Sequence, residues 1–334
     1  MNLIKDSINY ATTELGIYFV NIAMSYAMMI EGEEEDELPL DLQQVICHYA
    51  ISSSGDNKFA LVALTVNKSW AYFVCRVLYR HYCIKNYLTF VGFVKTITSI
   101  NTILPYGLFV RSIDLTPVNK YGIDMRAHRL IRCCPNIVKM TLGHPTTLKT
   151  ETIQDIAKYN TKLHTLSMGG LESFPFMLDC DFSRLRELQH VVLKTTPLLS
   201  SAFMTLPKDK LKSIRLIQMD AIKPDELLLF CQLHPNLQLL AIENCKALFT
   251  EELGEVLAKL LIPHKYTACS KLRQIELVGR QVTDESLTAF FKNIPQRTQL
   301  YKLKLFNTSV TSKFLNSVLY PNSSIQVENL ELTK

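Results

Sequence analysis

The chain has 334 residues, 48% of them apolar and 20% charged, with a mean hydropathy of +0.09. That balance excludes wholesale disorder and collagen-like repetition. A net charge of +5 is too mild to imply nucleic acid, so no specific nucleic-acid partner is expected.

The chain opens on an apolar stretch, Leu15 to Ile30, interrupted by Asn21 and Ser25. As a helix it would be about 24 Å long, short of a ~30 Å hydrocarbon core. It lacks the basic start of a signal peptide. A buried helix fits better than a membrane segment, which stays as the alternative. Residues 31–41 then carry seven acids and a charge of −7, leaving +13 on residues 42–334. Such a run reads as a solvated linker, so residues 1–37 are set apart from a helical segment, 38–87, and a repetitive one, 88–334.

Residues 38–87 hold apolar positions at helical spacing and predict two or three short helices. Leu88–Val91–Phe93 reads as an upstream half-repeat, Phe93–Ile103 as a helix, and Pro105-Tyr106-Gly107 as a turn. From residue 110 an apolar-x-x-apolar-x-apolar triplet recurs nine times, starting at Val110, Ile137, Leu163, Leu188, Leu211, Leu237, Leu272, Leu300 and Val327. The intervals run from 23 to 35 residues. This is the leucine-rich-repeat pattern. It predicts an α/β solenoid of about nine repeats, with parallel strands on one face and helices on the other. Expected helices are Met125–Cys133, Thr152–Lys158, Pro224–Gln232, Glu251–Leu261, Glu285–Lys292 and Lys313–Leu319. The longest interval carries an insertion around Leu261–Ser270. The ninth strand is followed by no helix, and Glu328, Glu331 and Lys334 put charge on that edge.

Side chains alternate along a strand, so residues between the triplet positions face away from the helices. Along that open face the expected substrate contacts are Lys139, His190, Arg215, Leu239, Glu276, Lys302, Lys304 and Phe306. The cations give the face a basic lean that suits an acidic or phosphorylated peptide. Nine cysteines include no C-x-x-C pair and eight histidines no metal-site spacing, so buried free thiols are expected, with no metal and no cofactor. Glycine-rich phosphate loops and nucleophile elbows are absent from the sequence, so no enzymatic activity is expected.

One further resemblance rests on residues 38–80. Leu38-Pro39, the apolar positions Leu42, Val45 and Ile46, then Leu61 and Leu64, Val66-Asn67-Lys68-Ser69-Trp70, and Leu78-Tyr79 together resemble an F-box. Asn67 stands where cysteine is common, and the Ser52–Lys58 loop is longer than usual. With the repeats, the chain resembles the F-box/leucine-rich-repeat family, fungal members included. The resemblance implies a substrate receptor of an SCF-type cullin–RING ubiquitin ligase, working in the cytoplasm or nucleus. A Skp-type adaptor, and through it a cullin, would be met by Leu38, Pro39, Leu42, Val45, Ile46, Leu64, Val66 and Trp70. The repeats would hold a protein substrate. The family's cysteine two residues beyond each strand occurs here once, as Cys245. The alternative is a repeat scaffold or inhibitor with no ligase role.

Overall fold

The computed structural model describes residues 39–54, 57–118, 122–143, 148–169, 178–196, 198–250, 252–261, 271–293, 298–319 and 325–333. The Leu15–Ile30 stretch, the 31–37 acids, Leu38 and insertion residues 262–270 lie outside the described residues, as do the side chains of the ninth triplet. The chain divides into two compact units. One runs to Thr141 and includes Lys158–Asn160; the other holds Leu142–Ala157 and everything from Thr161.

The first unit begins with three helices: α1 (Leu40–Ser54), α2 (Asn57–Ala63) and α3 (Lys68–Arg80). α1 packs on both of the others. Asn67 explains its own departure from the usual motif. Its Oδ1 accepts the Trp70 N–H at 2.8 Å and caps α3. A cysteine there could not do this as well.

The half-repeat expected at Leu88–Val91–Phe93 is not a strand. It lies inside α4 (Tyr87–Thr98), which also replaces the expected Phe93–Ile103 helix. The reason is local. Asn86 Oδ1 accepts the Thr89 N–H at 2.9 Å while Thr89 Oγ1 accepts the Asn86 N–H at 3.1 Å, a capping box that starts a helix one residue before Leu88. Phe90, Phe93, Val94 and Ile97 then bury at helical spacing. Pro105-Tyr106-Gly107 is corrected too, from a turn to the start of a single helical turn, α5 (Tyr106–Phe109). A Cβ at Gly107 would overlap the Cys133 carbonyl oxygen, so only glycine fits there. Tyr79, Tyr82, Phe93 and Tyr106 stack at this junction, with centroids 3.9–6.2 Å apart. Strands β1 (Ser112–Asp114) and β2 (Lys139–Thr141) pair in parallel and are joined through α6 (Asp124–Cys133). Buried Asn160 donates from Nδ2 to the Cys134 and Ile131 carbonyls at 2.8 and 3.3 Å, satisfying the end of α6.

The second unit carries α7 (Thr150–Tyr159, its last two residues belonging to the first unit), β3 (Thr165–Gly169), β4 (His190–Lys194), α8 (Ser200–Met204), β5 (Ser213–Ile217) and α9 (Pro224–Leu233). Then come β6 (Leu239–Glu243), α10 (Glu252–Leu261), β7 (Gln274–Val278), α11 (Asp284–Asn293), β8 (Thr298–Phe306), α12 (Ser312–Leu319) and β9 (Ile325–Thr333). Strands β3 to β9 pair in parallel in chain order. This is a leucine-rich-repeat solenoid, as the triplets predict. The first eight triplets are buried throughout, from Val110 to Leu305. Each such aliphatic side chain stabilises the fold by about 1.5–3 kcal/mol over exposure. α9, α10 and α11 stack side by side. The repeats are not uniform: α8 is a five-residue turn, and residues 178–189 hold no helix.

Strands β4 to β8 close in the same way. Thr195, Gln218, Asn244, Gly279 and Asn307 all adopt positive φ. The N–H groups of the first three each donate at 2.8 Å to the next strand, prolonging the ladder by one bond. The next residue in each repeat occupies the family's cysteine position, and there a chain of sulfur acceptors runs through the interior. The Thr196 N–H donates to Met219 Sδ and the Met219 N–H to Cys245 Sγ, both at 3.3 Å. Met219, a mismatch to the motif by sequence, does the same work as the cysteine.

Candidate protein-binding surfaces

α1 presents an unusual face. Its packed side buries Gln43 and Cys47, whereas Leu42, Val45, Ile46 and Tyr49 are 52%, 62%, 41% and 73% exposed. Positions i, i+3, i+4 and i+7 form one stripe on a helix, so four apolar side chains stand in a row facing water. In most surface helices that stripe is the buried one. Val66, just before α3, is also half-exposed. A contiguous exposed apolar patch of this kind marks a contact surface.

The other expected adaptor contacts fall elsewhere. Leu64 is fully buried, so it holds the helices together and cannot meet a partner. Trp70 is partly buried, with its ring tilted against Phe59 at 6.4 Å. Pro39 is exposed, and its carbonyl accepts the Gln43 N–H at 3.0 Å at the start of α1.

On the second unit the open strand face differs from a simple basic path. Ala241 and Glu276, expected to be exposed, are buried. The register places Arg215, Ala241 and Glu276 side by side on β5, β6 and β7. Arg215 crosses over the small Ala241 side chain and puts Nη2 2.7 Å from Glu276 Oε2. The other Glu276 oxygen accepts from Gln274 Nε2 at 2.8 Å. Lys302 and Lys304 meet Glu331 at 2.6 and 3.9 Å, which pulls the Lys302 ammonium up and the Glu331 carboxyl down from their ordinary ranges. These cations therefore have internal counter-ions, and the expected basic lean is corrected. The reason is that Glu276 and Glu331 occupy the same strand face as the cations.

His190 Nδ1 lies 2.7 Å from Ser213 Oγ on the neighbouring strand. Burial, then Lys212 and His164, lower its proton affinity. Leu239 is partly exposed and Phe306 well exposed; Ile217 and Val278, level with Phe306 in the register, are also partly open. Sequence reasoning passed over Ile217 and Val278 because they lie one residue beyond the triplet, although the alternation that reaches Phe306 reaches them as well. On the first unit, Lys139 is exposed and forms no ion pair among the described residues.

Among the described residues, no three histidine, cysteine or acidic side chains gather as metal ligands, and no helix is long and apolar enough to cross a membrane.

No family model matches the chain. No curated protein matches it either. Among solved structures, the chain is similar to an internalin from Listeria monocytogenes str. 4b F2365, at 13% identity and a TM-score of 0.35, over 69% of this chain and 58% of that one. It is also similar to TLR13, solved in complex with a single-stranded RNA, at 14% identity and a TM-score of 0.38, over 68% of this chain and 33% of that one. The chain thus spans less than two thirds of the length of either protein.

Proposed function

We propose that the chain is a protein-binding receptor that couples two partners, and specifically the substrate receptor of an SCF-type cullin–RING ubiquitin ligase. The observation that carries the reading is the exposed stripe of α1. Leu42, Val45 and Ile46 coincide with F-box positions, and the helix leaves them in water while packing through Gln43 and Cys47. A Skp-type adaptor supplies an apolar surface for such a stripe, and the adaptor brings the cullin. The chain itself contributes recognition; the transfer chemistry belongs to the recruited enzymes. This role places it in the cytoplasm or nucleus.

The protein substrate lies on the open strand face. With Arg215, Lys302 and Lys304 internally paired, the available contacts are Leu239, Ile217, Val278 and Phe306, framed by those ion pairs. Apolar anchors inside a polar rim suit a folded or extended protein segment with its own apolar side chains.

The test is co-purification of the full chain with a Skp-type adaptor. Val45→Glu with Ile46→Glu abolishes adaptor recovery and leaves the unfolding temperature unchanged, since both side chains already face water. Leu38→Ala with Pro39→Ala does the same. Adaptor recovery that survives both double substitutions rules out the F-box reading and leaves a repeat scaffold.

A further inference from the structure

Beyond the adaptor stripe, the first unit has a second surface with a different chemistry. Arg76 and Arg80 stand one turn apart on α3, and Arg111 enters beside them from the segment leading into β1. Together with Gln44 and His48 of α1 they line a cavity of about 160 Å3 whose apolar wall includes Phe73. Among the described residues, no carboxylate lines it.

The three arginines are not held alike. Arg111 is fixed, its Nη1 donating to the Leu108, Val110 and Asn136 carbonyls at 2.9, 3.3 and 3.3 Å and its backbone N–H to the Arg80 carbonyl at 2.9 Å. The Arg76 and Arg80 side chains are exposed and make no hydrogen bond or ion pair among the described residues. Like charges one helical turn apart destabilise a helix. Burial, followed by the fields of Arg76 and Arg80, lowers the proton affinity of Arg111. The Arg80 field reaches His81 as well, where it adds to that of Lys139. Among the described residues, the fold thus concentrates cations at one hollow and places no carboxylate in its lining. On the strand face of the second unit, by contrast, Arg215, Lys302 and Lys304 all have carboxylate partners.

We propose that this hollow binds a phosphate monoester, one fixed and two free guanidiniums closing on its oxygens. Guanidinium forks match phosphate oxygens in pairs, and a doubly charged group answers three cations better than a single carboxylate does. The aromatic wall accommodates the carbon stem of the ester. Gln44 and His48 lie on a different flank of α1 from the Leu42–Tyr49 stripe, so the site does not depend on the adaptor.

The experiment is calorimetric titration of the full chain at constant ionic strength with three probes. These are inorganic phosphate, a phosphoserine-containing peptide and the same peptide without phosphate. Saturable binding of the phosphate-bearing probes alone is expected. Arg76→Gln with Arg80→Gln weakens it at least tenfold, and circular dichroism of the unliganded protein is unchanged. Arg76→Lys with Arg80→Lys, which keeps charge but loses the fork, gives an intermediate loss. A tighter fit for the phosphopeptide than for inorganic phosphate identifies the source as a modified protein; equal affinity identifies a small free phosphate. Absence of saturable binding, or equal affinity in the glutamine double variant, overturns the proposal.

Discussion

Arg215 and Glu276 stand two strands apart and still meet at 2.7 Å, because the residue between them on β6 is Ala241. A larger side chain there would block the crossing. The pair sinks Glu276 until only 7% of its side chain is exposed, whereas Arg215 keeps 35%. It also ties β5 to β7 across the open face, so it shapes the surface offered to a partner as well as its charge.

Removing one member leaves the other uncompensated. Glu276→Ala is expected to lower unfolding stability by about 1–2 kcal/mol, below the range for fully buried pairs because Arg215 is partly solvated. Arg215→Met with Glu276→Leu recovers most of that loss, since an apolar pair needs no counter-ion. Urea denaturation of the wild type, Arg215→Met, Glu276→Leu and the double variant forms a double-mutant cycle that measures the coupling.

The sulfur ladder makes a second prediction. Cys245→Ala deprives the buried Met219 N–H of its acceptor and costs about 1–3 kcal/mol; Cys245→Ser, which keeps an acceptor, costs less. Burial pushes the Cys245 thiol up to about 11, so it stays protonated and unreactive in the native protein. Among the described cysteines, the exposed Cys83 reacts first with a thiol reagent, and Cys245 reacts only as urea unfolds the second unit.

His234 sets a pH dependence. Its ring is fully buried, stacked on Phe230 at 3.9 Å, with Nδ1 2.6 Å from the Phe230 carbonyl and Nε2 3.1 Å from that of Leu206. Burial lowers its proton affinity and outweighs the two carbonyls, which favour the charged ring. Below the ordinary histidine value of 6.5, the unfolded chain therefore binds a proton that the folded chain refuses. The stability that neutral His234 contributes is complete above that value and is lost as pH falls through the folded one. His190 shifts in the same direction. Unfolding temperatures measured from pH 7.5 down to 5 should fall, and His234→Gln should flatten the slope more than His190→Ser does.

Much of this molecule was legible in one dimension. The triplets from Val110 to Leu305 had to lie on strands with one face buried, because a spacing of three and then two residues puts all three side chains on one side of a short strand and its approach. The same rule failed at Leu88–Val91–Phe93, where the capping pair Asn86 and Thr89 decided for a helix. A three-residue apolar pattern is weaker than two satisfied backbone donors. The α1 stripe was likewise legible as a row of apolar residues, but its exposure was not. Periodicity marks a face without saying whether protein or water lies against it, and the motif resemblance that set Leu64 among the contacts does not say that packing takes it into the core.

What the sequence determined alone was therefore the repeat architecture and the residues able to form each face, since both follow from spacing along a single chain. The tertiary structure decided which charges are free. Arg215 and Glu276 are 61 residues apart and become partners only through strand register. Arg76, Arg80 and Arg111 become a cluster only where α3 meets the segment before β1. Electrostatic energy depends on distance in space and on burial, and neither is written in the order of the residues.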